Sequence, residues 1–219
     1  VEKCDIIICA TSAKAMESIA ESVKNILTTD HLYVDINAAS SEAKQRVYHL
    51  IKESGAKFVD GAVMGTIPVK KHQTLIFLSG DGAQQFQKFG MAYNMDLVCI
   101  SEHPGDASAI KMFRSIFMKG LAALLWETLE SSYKHGVLEH VLVSLNDSLA
   151  HQSIYDLANN LLPRTAIHAE RRVVEMEEVM KTLRGINVDH TLSKAIKEKL
   201  NKIAQYDMKK VFHQEPPKQ

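Results

Sequence analysis

Lys111, Ser115 and Lys119 stand four residues apart in the stretch from Pro104 to Glu130, which reads as one long helix without an internal proline. Each step of four residues drifts only about 40° around a helix, so the three side chains fall within an arc of roughly 80°. Ile110, Met112, Phe113, Ile116, Phe117, Leu121, Leu124, Leu125 and Trp126 surround them on almost every side, the pattern of a helix buried on several faces. A lysine among such neighbours is desolvated, which disfavours its charged form and lowers its pKa toward the range useful for proton transfer. The competing reading is that both lysines carry their ammonium groups out to water and do no chemistry.

A second concentration of charge runs from His168 to Glu178. Arg171 with Glu175, and Glu178 with Arg184 nearby, suggest ordinary helical ion pairs; the alternative is an arginine clamp for a carboxylate or phosphate, which the planar guanidinium binds with two hydrogen bonds. No metal site is expected, because His168 has no second histidine at helical spacing and the other histidines are scattered. Gly80-Asp81-Gly82 imitates a dinucleotide-binding turn, but Gln85 stands where its third glycine belongs, so a plain turn is expected.

The elements that must hold these residues alternate between strand and helix. Buried-strand patterns at Asp5 to Ala10, His31 to Ile36 and Lys57 to Asp60 are separated by helical patterns, the second of which Ser40 or Ser41 caps and Val47, Leu50 and Ile51 turn inward. This rhythm predicts an α/β fold with a Rossmann-like parallel sheet, whose ligands bind beyond the carboxyl ends of the strands. The loops to watch are Ala10 to Ser12, Asn37 to Ser40 and Gly61 to Pro68; the last offers backbone amides to an anion or is merely a permissive connection. Thr74 to Ser79 and Leu97 to Ser101 read as two more strands, and Asp106 or Ser108 as the cap of the long helix.

Beyond about Ala107 only helical patterns follow: Leu138 to Leu149, Ile154 to Leu162, Ala166 to Leu183 and Leu192 to Val211, punctuated by Pro163 and Gly185. The expected domains are residues 1–103, part of a Rossmann-like unit, and 104–219, an all-α unit led by the long helix. The polar, proline-rich stretch Gln214 to Gln219 is expected to fray. The long helix is too apolar for a monomer's surface, which predicts a homodimer.

Composition narrows the partners. Lysine and arginine together number 26, matching aspartate and glutamate at 26, so no net field recruits nucleic acid or an anionic membrane. The apolar runs are too short to span a bilayer, and Cys4, Cys9 and Cys99 lack zinc or disulfide spacing, which fits a cytoplasmic protein. Val1 to Ala10 enters a buried-strand pattern almost at once, so an upstream half is expected.

Four segments together resemble the β-hydroxyacid dehydrogenase superfamily, which includes 6-phosphogluconate dehydrogenase and 3-hydroxyisobutyrate dehydrogenase. They are Asp5 to Thr11, Val34-Asp35-Ile36-Asn37-Ala38, Phe58 to Thr66, and Gly105 to Lys111. With Arg171-Arg172 and Glu175-Met176 added, the chain is most similar to an uncharacterised subgroup whose helical domain has no known function. The resemblance implies NAD or NADP as cofactor, contacted at Ala10, Thr11 and Asn37, and a small carboxylate as substrate. It implies hydride transfer from a 3-hydroxy acid with Lys111 as general base and acid and Ser115 holding the hydroxyl or carboxylate. Asn37, Met64, Gly65, Thr66, Lys119 and Arg171 become the substrate-binding set. Ser115 replaces the family's asparagine, and Met64-Gly65-Thr66 its serine-glycine-glycine. The Gly-rich pyrophosphate loop belongs to the expected upstream half, without which this stretch should bind cofactor poorly. The rivals are a non-catalytic binding or dimerisation protein on the same scaffold and an imine-reducing relative.

Overall fold

The computed structural model describes Val1 and residues 3–206. The chain divides into two compact units, the first Val1–Met118 and the second beginning at Lys119.

In the first unit, five strands lie side by side in chain order: β1 (Ile6–Cys9), β2 (Leu32–Asp35), β3 (Lys57–Val63), β4 (Ile76–Ser79) and β5 (Leu97–Ser101). β1 with β2, β2 with β3, and β4 with β5 pair in parallel. The expected parallel sheet needs one correction, because β3 and β4 are antiparallel. Their connection holds only a single-turn helix, α3 (Ile67–Lys70), and a 3-10 turn (Lys71–Gln73), with no helix long enough to run back along the sheet. β3 also continues through Gly61, Ala62 and Val63, so the loop expected from Gly61 begins instead at Met64.

Alternation along each strand sends side chains to two cores. On one face Cys9, Tyr33 and Phe58 pack with Met16 and Ala20 of α1 (Met16–Val23) and with Val47 and Ile51 of α2 (Ser41–Lys52). On the other, Leu32, Val34, Val59, Leu78 and Leu97 enclose Ala83 and Phe86 of α4 (Ala83–Met91). Each large aliphatic or aromatic side chain so buried contributes about 1.5–3 kcal/mol. Ser40 caps α2 as expected, its Oγ accepting from the Ala43 amide at 3.2 Å.

The long helix α5 spans Asp106–His135. Neither expected cap acts as one. Asp106 lies in the first turn and accepts from the Ser101 hydroxyl, while Ser108 turns its hydroxyl away from its own helix to Asp60. The expectation of a helix buried on several faces fails within a single chain: Phe113, Ile116 and Trp126 are 68%, 73% and 75% exposed, and Phe117, Leu121 and Leu124 are exposed as well.

The second unit contains the rest of α5 with α6 (Leu138–Leu149), α7 (Ile154–Ile167), α8 (Ala169–Gly185) and α9 (Thr191–Ala204). Among the described residues no strand follows Ser101. Pro163 lies inside α7 instead of ending it, and the break falls at His168, whose φ of −108° and ψ of 21° leave the helical region. The helix expected to start at Ala166 therefore starts at Ala169. Glu127 accepts the amides of Leu192 and Ser193 at 2.9 Å each, satisfying the start of α9 from another helix. The expected reach of that helix to Val211, and the expected fraying from Gln214, lie outside the described residues.

Candidate functional site

A polar row crosses the sheet. Cys9 is in register with Asp35, Asp35 with Asp60, and Asp60 with Ser79, one residue from each of β1 to β4. Asp35, Asp60 and Ser79 are fully buried. Two carboxylates in such a place need a cation, and Lys44 supplies it. Its inward position on α2 follows from spacing, three residues before Val47 and seven before Ile51. The fully buried Nζ donates to the Asp35 carbonyl at 2.7 Å and to Asp35 Oδ1 at 2.8 Å, and stands 3.3 Å from Asp60 Oδ1.

Asp60 in turn holds the head of α5. Its Oδ2 accepts the Ser108 amide at 2.9 Å and its Oδ1 accepts the Ser108 hydroxyl at 2.7 Å. Ser79 donates to Asp60 Oδ2 at 3.3 Å and accepts the Ala107 amide at 3.1 Å. A carboxylate at this place satisfies a free amide of the helix start and complements the helix dipole. Gly105, at φ +99°, lets the turn before α5 lie against Ser41 at the start of α2, where a Cβ would collide with the Ser41 backbone oxygen.

Lys111 follows Ser108 by three residues on the same face of α5 and is half-buried. Burial pushes its pKa below the ordinary lysine value, the positive charge of Lys44 pushes it further down, and Asp60 opposes both. A lysine with a depressed pKa beside a fixed carboxylate and a fixed cation can take up and release a proton. Ser115, half-buried, lies one turn further along.

Asn37, expected to meet both cofactor and substrate, is buried and hydrogen-bonded on both sides of its amide. Its Oδ1 accepts the Thr11 amide at 2.6 Å; its Nδ2 donates to Asp35 Oδ1 at 2.9 Å, with the Cys9 carbonyl at 3.4 Å. It thus ties the loop after β1 to the polar row. Ala10, Thr11 and Ser12 are exposed beyond β1 and form a ledge of small residues. The Gly80-Asp81-Gly82 turn does not fit a pyrophosphate. The Gly80 and Gly82 amides are spent on the carbonyls of Ser101 and Phe58, and the Asp81 carboxylate, which accepts the Phe58 amide, would repel it.

Met64 donates its amide to the Leu75 carbonyl at 2.8 Å, while Gly65 and Thr66 are exposed beyond β3. Lys119 and Arg171 belong to the second unit and are exposed there; Arg171 pairs with Glu175 at 3.3 Å, as an ordinary helical pair should. Glu178 pairs with Lys181 at 2.6 Å instead of the expected Arg184. Lys44 was not among the expected site residues, although its place on the inward face of α2 and the aspartates ending two neighbouring strand patterns were signals for it.

Residues 1–92 match the NAD binding domain of 6-phosphogluconate dehydrogenase, and residues 133–203 match DUF1932, a domain of unknown function. An uncharacterized 28.5 kDa protein of Methanothermus fervidus is 29% identical over 200 residues, 90% of this chain and 75% of the relative. A conserved hypothetical protein from Sinorhizobium meliloti 1021, of known structure, is 30% identical with a TM-score of 0.62, covering 91% of this chain and 67% of that one. A conserved protein of unknown function, whose structure was described as similar to 3-hydroxyacid dehydrogenases, is 33% identical with a TM-score of 0.62, covering 96% of this chain and 77% of that one. An imine reductase from Myxococcus stipitatus, solved with NADP+, shares the fold with a TM-score of 0.72 at 17% identity, covering 92% and 77% of the two chains. The chain belongs to the 6-phosphogluconate dehydrogenase-like family of NAD(P)-binding proteins, in the branch whose helical part is DUF1932.

Proposed function

We propose that this protein is an NAD(P)-dependent oxidoreductase acting on a small 3-hydroxy acid, with Lys111 as the group that moves the proton. The observation that carries the reading is Lys111 itself: it is half-buried at the head of α5, with its pKa held down by burial and by Lys44 and its helix start fixed to Asp60. In oxidation, the neutral amine accepts the hydroxyl proton of the substrate; in the reverse direction the ammonium returns it. A bound nicotinamide cofactor supplies the hydride acceptor, with Ala10 and Thr11 as the ledge for its ring and Asn37 keeping that ledge in place. Ser115 orients the hydroxyl or carboxylate, and Gly65 and Thr66 offer amides to the carboxylate.

The exposed apolar side chains of α5 support a homodimer, since Phe113, Phe117, Leu121 and Leu124 are too many large apolar groups to leave in water. Titration of NAD and NADP into the full-length protein, followed by a screen of 3-hydroxy acids for cofactor reduction, tests the function. Saturable binding with turnover of one such acid is the expected result. Absence of binding by either nucleotide would leave a scaffold protein without redox chemistry.

A further inference from the structure

Lys44 enters the reading above only through its charge, yet it is among the most deeply buried side chains of the first unit. A buried lysine is retained at a cost, because its ammonium must be taken out of water. Here three oxygens receive it, and two of them belong to the carboxylates of the polar row. Asp35 Oδ1 gathers the Asn37 amide at 2.8 Å, the Asn37 side chain and the Lys44 ammonium, while Asp35 Oδ2 is buried with no hydrogen-bond partner. Asp60 divides itself between Lys44 on one side and Ser79 and Ser108 on the other. One cation thus sits at the junction of the Asn37 network, which sets the cofactor ledge, and the Asp60 network, which sets the head of α5.

We infer that Lys44 is a positioning residue for Lys111: its ammonium locks Asp35 and Asp60 in place and, through the two bonds from Ser108 to Asp60, holds the first turn of α5 from which Lys111 projects. This rests on the reading of Lys111 as the acid–base group. The charges that act on Lys111 from neighbouring elements are the Lys44 ammonium of α2, which lowers its pKa, and the Asp60 carboxylate of β3, which raises it. Asp35 acts one step back, by holding Lys44. Lys44 keeps the Lys111 amine ready to accept a proton, and Asp60 prevents that bias from going too far. A merely structural Lys44 would hold the fold and leave the proton affinity of Lys111 unchanged.

Competitive labelling of the full-length protein with acetic anhydride, with each lysine quantified by mass spectrometry across pH, reads the free-amine fraction of Lys111 directly. Two variants separate charge from packing. Lys44→Met with Asp35→Asn removes a buried cation and a buried anion together, and Asp60→Asn keeps the shape of the carboxylate while removing its charge. At a fixed mildly alkaline pH, Lys111 labelling relative to exposed lysines should fall about threefold to tenfold in the double variant and rise in Asp60→Asn, a tenfold change matching a full pH unit. Shifts in the same direction, or no shift in either variant, would overturn the inference. Should the double variant fail to fold, Lys44→Gln, which keeps a donor for the carboxylates without the charge, is labelled in its place; the same fall is expected, and an unchanged Lys111 overturns the inference. Labelling needs no turnover, so this inference and the catalytic reading of Lys111 fail separately.

Discussion

Ser108 donates twice to Asp60, through its hydroxyl at 2.7 Å and its amide at 2.9 Å, so a single β3 carboxylate fixes the first turn of α5 in both position and rotation. Because Lys111 lies one turn further on that face, the rotation fixed at Ser108 sets the direction in which Lys111 leaves the helix. The capping function expected of Asp106 or Ser108 is thus provided by a side chain distant in sequence.

Ser108→Ala removes the hydroxyl donor and keeps the amide. The variant should lose about 1.5–3 kcal/mol of stability, the worth of a buried hydrogen bond to a charged group. Urea denaturation measures this, and an unchanged midpoint would show that the hydroxyl contact contributes nothing.

Gly105→Ala places a Cβ at φ +99° and against the Ser41 backbone. Strain of both kinds should destabilise the first unit by more than about 1 kcal/mol. Gly136→Ala is a matched comparison: it has a φ of +81°, but an added Cβ would meet nothing within 4 Å, so it should cost less. Equal losses in thermal unfolding of the two variants would mean that the close approach to α2 does not matter.

The depressed pKa of Lys111 has a signed consequence for stability. Between its folded pKa and the ordinary value of 10.5, the unfolded chain binds more protons than the folded one, so this residue's contribution rises with pH across that window. Below the window the charged, half-buried ammonium costs stability. Lys111→Met should therefore be at least as stable as the wild type at neutral pH, with its advantage shrinking as the pH approaches 10.5. A loss of stability independent of pH would contradict the assigned environment.

Sedimentation equilibrium at micromolar concentration should find a dimer, with Phe117→Glu and Leu121→Glu shifting it toward monomer. Burial of several large apolar side chains at about 1.5–3 kcal/mol each is ample for association. A wild-type monomer would remove the dimer proposal.

Much of the fold was legible because apolar periodicity and caps are local. The strand patterns near Ile6, Leu32, Lys57, Ile76 and Leu97, and the Ser40 cap, follow from neighbouring residues alone. The direction of β4 was not, since Ile76 to Ser79 reads the same whichever way the strand runs. Pro163 shows the limit of a punctuation signal: proline removes one helical donor, yet α7 continues through it to Ile167. Lys111 was legible as a cation in an apolar helix. Lys44 was hidden because a charged residue in an amphipathic helix is ordinarily assigned to water, and only the register of Asp35 with Asp60 shows why it turns inward.

The acid–base role of Lys111 is tested most directly by steady-state turnover of Lys111→Met on the 3-hydroxy acid that the wild type oxidises, measured beside NAD(P) affinity. Turnover should fall by about two to four orders of magnitude while cofactor affinity stays near the wild-type value, and Lys111→Arg should fare little better, because guanidinium does not give up its proton. Wild-type turnover in Lys111→Met would contradict the account.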